Sequence, residues 1–142
     1  MRRSFSSIHV SLDSNVLFSA SRSPRSRFRE FWRMHGVTPV TSMYSVDEVR
    51  RNIKHNEHHL LFEELLKQTM RVSDGPLQFI PGNVHLVAKD KPILATAIFA
   101  SVDYLVTGDV KHFGHLYGAT VSHVKILSPA DFLDLYAYRL KD

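Results

Sequence analysis

The chain contains no cysteine, which removes disulfides, thiolate metal sites and a thiol nucleophile together. Its chemistry must come from oxygen and imidazole groups, and a cytoplasmic setting is the natural expectation. No run reaches the roughly 18 apolar residues of a membrane span. The opening MRRSFSSIHVSLD begins basic but has no continuous apolar stretch of the kind a signal segment carries. The chain is therefore expected to be soluble, untargeted and independent of membranes. Repeats, low-complexity tracts and long linkers are also missing, so residues 1–142 read as one domain. There is no G-x-S-x-G, no Walker A and no G-x-G-x-x-G, which leaves acyl transfer, P-loop hydrolysis and dinucleotide binding without their usual supports.

What is present is enough apolar material for a proper core, 44% of 142 residues. The net charge of +4 conceals an asymmetry. Residues 1–51 carry nine basic and four acidic side chains, and the remainder nine basic and ten acidic. Arg22, Arg25, Arg27, Arg29 and Arg33 fall within twelve residues with Glu30 as the only acid among them. Such a cluster reads either as a solvated face or as a set of contacts to a phosphate backbone.

Ile8, Val10 and Leu12 alternate with His9 and Ser11, the period of a strand, and run into Asp13-Ser14-Asn15, which can open a helix. A helix is expected from Ser26, with Phe28, Phe31, Trp32 and His35 on one face and Gly36 as its stop. Val37–Thr41 reads as a second strand, after which Ser45-Val46-Asp47-Glu48 fits a capping box that puts Glu48 near a helix N-terminus. The polar KHNEHH stretch is expected to be an exposed turn before a helix bearing Leu60, Leu61, Leu65 and Leu66. Turns follow at residues 73–76 and 81–83. Asp90 stands in an N-cap position before a helix from Ile93 to Ala100 that is apolar on most sides and should be deeply buried. Tyr104–Thr107 and Val124–Leu127 read as short strands, and Ser128-Pro129 opens a last helix extending to about Leu140. Strands alternating with helices through long connections indicate an α/β domain, with a parallel sheet covered on both faces.

In such sheets ligands bind where strands end and helices begin. The strand assignments place Asp13 and Asp109 at that edge, and Glu48 and Asp90 lie at helix starts able to converge on it. Two carboxylates about 4 Å apart repel by roughly 4 kcal/mol at an effective dielectric of about 20, so a cluster of four either takes up protons or binds a cation. Oxygen donors suit a hard ion, Mg²⁺ or Mn²⁺. Each acid also has an ordinary role: Asp13 and Asp90 as N-caps, Glu48 as the reciprocal half of its capping box, Asp109 as a turn residue.

Other constellations are bland by comparison. His55 and His59 stand at i, i+4 but lack a third ligand, and His58 belongs to the same polar run. His112 is close to Asp109 and either touches a substrate phosphate or packs at a helix end. Phe28, Phe31 and Trp32 have the spacing of a core face rather than of a base-stacking platform. Asp47 points about 100° away from Glu48 around a helix. Asp103 precedes the strand that Asp109 follows; four residues rise about 13 Å, which puts it near the opposite edge of the sheet in a structural role.

The stretches LDSNVLFSA (12–20), VDEVRRNI (46–53) and KDKPILATAIFASVDYLVTGDVKHF (89–113) resemble the three signature regions of the PIN-domain family, in matching order and spacing. The resemblance extends to Asp131 and is strongest to members similar to VapC-type toxins of toxin–antitoxin pairs. It implies a PIN-like three-layer α/β/α fold with a central parallel sheet. It also implies a Mg²⁺- or Mn²⁺-dependent endoribonuclease cutting single-stranded RNA, with an antitoxin partner and a homodimer as further expectations. The family's acids fall on Asp13, Glu48, Asp90 and Asp109 as metal-holding catalytic residues, and its supporting polar residues on Asn15 and Thr107. Arg22, Arg25, Arg27 and Arg29 are then candidates for the RNA backbone.

Two other classes remain. A receiver-like signalling module also has an acidic Mg²⁺ pocket, but it needs paired acids after the first strand, and here Asp13 is followed by Ser14. A catalytically silent PIN-like module that binds RNA or protein is the other alternative. Without the four acids the chain carries 18 basic residues against 10 acidic ones, a basic surround to an acidic pocket.

Overall fold

The computed structural model describes residues 5–141, so Arg2 and Arg3 of the basic opening lie outside the described residues. Six strands form one sheet: β1 Ile8–Leu12, β2 Val37–Ser42, β3 Met70–Val72, β4 Tyr104–Val106, β5 Thr120–Val121 and β6 Val124–Leu127. Their order is β3-β2-β1-β4-β6-β5. All neighbours are parallel except β5, which turns back on β6. In β1, Ile8 stands opposite Val37 of β2, and Leu12 opposite Val106 of β4.

Six α-helices accompany the strands: α1 Ser14–Ala20, α2 Met43–Asn52, α3 Asn56–Lys67, α4 Lys91–Phe99, α5 Val110–Phe113 and α6 Pro129–Leu135. The period-2 alternation of the strands divides the apolar residues between two cores. Val10, Leu12, Val106 and Leu127 pack with Leu17 of α1, Val49 of α2, Phe62 of α3 and Phe132 of α6. Val40, Leu105 and Ile126 face the other way, onto Leu94 and Ala97 of α4 and Phe113 of α5. The α/β/α layering expected from the sequence is the architecture observed. In α4, residues Ile93 to Ile98 are all buried, as its unbroken apolar character requires.

Several local expectations are corrected. The segment after Ser26 is a short 3₁₀ helix, Arg27–Trp32, and not an α-helix reaching His35. The chain then opens so that Met34 bridges to Leu140, while Gly36 takes φ +72°. Helix α2 starts at Met43, not Ser45: Ser42, at the end of β2, accepts from Ser45 N (3.2 Å) and caps first. Glu48 therefore lies in the helix interior. The KHNEHH stretch is not a turn but enters α3, with His55 at its N-cap. The last helix ends at Leu135, and a 3₁₀ turn, Ala137–Arg139, completes it. Phe132 and Leu133 are buried there, whereas Leu135 and Tyr138 are exposed. No helix among the described residues is long and apolar enough to cross a membrane.

Candidate metal centre

Strand order reverses between β1 and β4, because β2 and β3 lie on one side of β1 and β4, β6 and β5 on the other. The crevice beyond the carboxyl ends of such a pair is where open α/β sheets receive ligands. Asp13 leaves β1 at that point, and Thr107-Gly108-Asp109 leaves β4.

Asp13 is buried and caps α1, accepting from Ser14 N at 2.7 Å through Oδ1. Its Oδ2 accepts from Thr107 Oγ1 (2.8 Å) and Asn15 Nδ2 (3.1 Å). Thr107 in turn accepts from Asp109 N (3.1 Å), so one hydroxyl links the acids at the ends of two strands. Asn15 Oδ1 accepts from Gly108 N (2.7 Å), and a Cβ at position 108 would sit 3.0 Å from that same oxygen. Only glycine lets the two loops approach this closely without displacing Asn15. Glu48 reaches the site from α2 and accepts from Ser14 Oγ.

Asp90 occupies the N-cap position of α4 but its side chain caps nothing. It is buried and turned into the crevice, where it meets Asp109 and His112. Ligand atoms of these three residues all lie within 4.8 Å of one another. His112 Nδ1 is 2.9 Å from Asp90 Oδ2 and 2.9 Å from Asp109 Oδ2. Even so, Asp90 Oδ2 and His112 Nδ1 are buried without a hydrogen-bonded partner. The three groups are thus in ion-pair range of one another without the alignment of a hydrogen bond. Leaving such groups unsatisfied costs about 1–3 kcal/mol each, and a divalent cation would satisfy them together. Two carboxylates and an imidazole nitrogen thus fit a metal ion.

The electrostatics point the same way. Burial pushes the Asp13 carboxyl up to about 6, against the pull of Thr107 and Ser14, and the neighbouring charges of Glu48 and Asp90 add to the rise. Asp90 is also raised, first by burial, with Asp109 and Glu48 contributing while His112 and Lys89 oppose. Two tyrosines frame the crevice: Tyr44 donates to Lys89 O (2.8 Å), just before Asp90, and Tyr117 donates to Thr107 O (2.7 Å), just before Gly108. Both phenols are held above their ordinary range, by burial and then by the acids.

The structure therefore brings Asp90 and Asp109 together with His112, and sets Asp13 and Glu48 beside them on Thr107 and Ser14. Asp103 lies at the opposite edge, where its Oδ2 accepts from His9 N (2.8 Å), and Asp47 is exposed. Of the arginines, Arg27 pairs with Glu30 and Asp134, Arg29 donates to Ala20 O, Arg22 lies over the Phe18 ring and Arg25 is exposed. His112 is the residue that sequence reasoning undervalued. Its signal was the D-x-x-H spacing: Asp109 accepts from His112 N (3.2 Å) and opens α5, and residues three apart share a helix face.

A doubly covered, mostly parallel sheet with an acidic, histidine-containing pocket at its switch point defines the class. No protein-family profile matches the sequence, and no curated protein matches it. Among solved structures, a chain of VapBC2 from Rickettsia felis, crystallised bound to a DNA fragment from their promoter, superposes with a TM-score of 0.62. The match covers 85% of this chain and 98% of that one at 14% identity. The likeness is one of fold, and the PIN-like three-layer arrangement is the fold this chain adopts.

Proposed function

We propose that this protein is a divalent-metal-dependent endoribonuclease that hydrolyses single-stranded RNA, acting as the toxin of a type II toxin–antitoxin pair. The observation that carries the reading is the convergence of Asp90, Asp109 and His112, whose ligand atoms lie within 4.8 Å of one another with Asp90 Oδ2 and His112 Nδ1 buried and in no hydrogen bond. A module that only bound RNA or protein would have no need to gather two carboxylates and an imidazole nitrogen so closely. The fold likeness to a chain of a toxin–antitoxin complex supports the biological setting, including an antitoxin partner. A single domain over residues 1–142, a cytoplasmic location and a homodimer belong to the same reading.

Asp90, Asp109 and His112 would hold the ion, with Asp13 and Glu48 completing or flanking its surround. A nitrogen donor among carboxylates favours Mn²⁺ over Mg²⁺, which takes oxygen almost exclusively. A cation held by these residues would supply Lewis-acid activation of a water and charge neutralisation at the phosphate. Thr107 and Asn15 orient Asp13, Ser14 orients Glu48, and Tyr44 and Tyr117 fix the loops that carry Asp90 and Asp109.

The test is cleavage of a labelled single-stranded RNA with Mn²⁺. The wild type is expected to cut, while Asp13→Asn/Asp90→Asn is folded and inactive and His112→Asn needs more Mn²⁺ for half-maximal rate. Cleavage undiminished in a cleanly purified Asp13→Asn/Asp90→Asn protein overturns the assignment.

A further inference from the structure

Two grooves carry residues of the candidate metal centre, or residues hydrogen-bonded to it, on their lining. One, of about 480 Å³, is bordered by Leu86, Lys91, Lys111, His112 and His115 and has no carboxylate among its described lining residues. The other, of about 520 Å³, is bordered by Ser14, Asn15, Phe18, Asn52 and Lys54, again without a carboxylate. Each shares residues with the centre: His112 in the first, and Ser14 and Asn15, which touch Glu48 and Asp13, in the second. Lys91, Lys111 and Lys54 make no ion pair among the described residues. The arginine cluster differs. Arg27 is engaged by Glu30 and Asp134, and Arg22 lines a separate groove that also contains Glu57 and Glu64. Lys91, Lys111 and Lys54 are thus cations unopposed by carboxylates on grooves that reach the centre.

We propose that one polynucleotide strand crosses the metal centre from groove to groove, with Lys91 and Lys111 holding backbone phosphates on the His112 side and Lys54 on the Asn15 side. This rests on the nuclease reading above. A scissile phosphate at the ligand atoms requires its flanking nucleotides to leave in two directions, and these two grooves reach the centre through His112 on one side and through Ser14 and Asn15 on the other. The recognised chemistry is the phosphodiester backbone, common to RNA and DNA single strands.

The experiment is fluorescence anisotropy of a short, unstructured, fluorescein-labelled RNA with the full chain in EDTA, repeated over a range of salt, and again with DNA of the same sequence. Each phosphate contact on a single strand contributes about 0.7 to the slope of log K against log salt. Lys91→Gln/Lys111→Gln is expected to lower the slope by about 1.4 and Lys54→Gln by about 0.7, with Lys125→Gln, exposed beside Asp103 at the opposite edge of the sheet, leaving it at the wild-type value. Lys111→Glu alone, at an exposed position, should weaken binding further and guards against misfolding of the double variant. Lysine variants with the wild-type slope, or a wild type that binds neither strand, overturn the proposal. Lysine-dependent binding without Mn²⁺-dependent cleavage would uphold the path and defeat the nuclease reading, while cleavage with a lysine-independent slope would do the reverse. Equal lysine dependence on RNA and DNA identifies the backbone as what is read; dependence on RNA alone places the contacts on a ribose-containing strand.

Discussion

Asp90→Asn should change the stability of this protein in opposite directions with and without metal. Asp90 is buried, makes no capping hydrogen bond, and has an oxygen within 4.8 Å of a carboxylate oxygen of Asp109. Burial disfavours the Asp90 charge, and Asp109 at that range repels it by about 3 kcal/mol at an effective dielectric of about 20, while His112 at 2.9 Å opposes both; the net relief when Asn replaces Asp is about 1–2 kcal/mol. Near 142 residues, one kcal/mol moves the melting point by about 4 °C, so the metal-free variant should melt roughly 4–8 °C above the wild type at about pH 8. Mn²⁺ at about 100 times its Kd stabilises the folded wild type by about 2.7 kcal/mol, which reverses the order, because the variant has lost a ligand. Four thermal melts followed by circular dichroism, each protein in EDTA and in MnCl₂, measure both terms. A variant less stable than the wild type in EDTA, or one stabilised by Mn²⁺ as much as the wild type, would refute the reasoning.

Asp13 makes metal-free stability depend on pH with a definite sign. Its folded value of about 6 lies above the ordinary 3.8, so its contribution is full below about pH 4 and is lost as pH rises through about 6, by about 3 kcal/mol in all. Urea midpoints across that window should therefore fall more in the wild type than in Asp13→Asn. Tyr117→Phe, which removes the hydrogen bond to Thr107 O, should cost about 1 kcal/mol of stability and also weaken Mn²⁺ binding measured by calorimetry; loss of stability with unchanged affinity would show that the phenol does not position Asp109. Gly75→Ala places a Cβ 2.4 Å from Ala95 O in α4, so a chemical-denaturation midpoint should show a loss of about 2 kcal/mol or more.

The parts of the fold legible in the sequence are those where one periodicity acts alone. β1, β6 and α4 are examples, since alternation or continuous apolarity leaves no rival reading. Tertiary context decided the others. Ser42 and Ser45 both offer a helix cap, and only the end of β2 selects the earlier one, which moves Glu48 from the first turn into the helix interior. Phe28, Phe31 and Trp32 have helical spacing, but the bridge from Met34 to Leu140 requires the chain to open before an α-helix can extend. β3 and β5, of three and two residues, are too short for any pattern to register. Asp13 and Asp109 could be placed at the sheet edge because each follows a strand, whereas Glu48 and Asp90 could be placed only at helix starts, and for Glu48 that start lay too late in the chain. His112 could not be ranked among them, because its value lies in a 2.9 Å approach to Asp90, from a different helix.

The central strand has a consequence for when the pocket can exist. β1 pairs with β4, and Asp13 and Asp109 are 96 residues apart in the chain. A ribosome adding residues at its usual rate takes roughly 5–20 s to cover that distance. Throughout that time Asp13 has neither Thr107 to accept from nor Asp109 to face. A metal bound here would therefore report that the strand order has been completed, because Asp90, Asp109 and His112 cannot face Asp13 until β4 has been made and paired with β1.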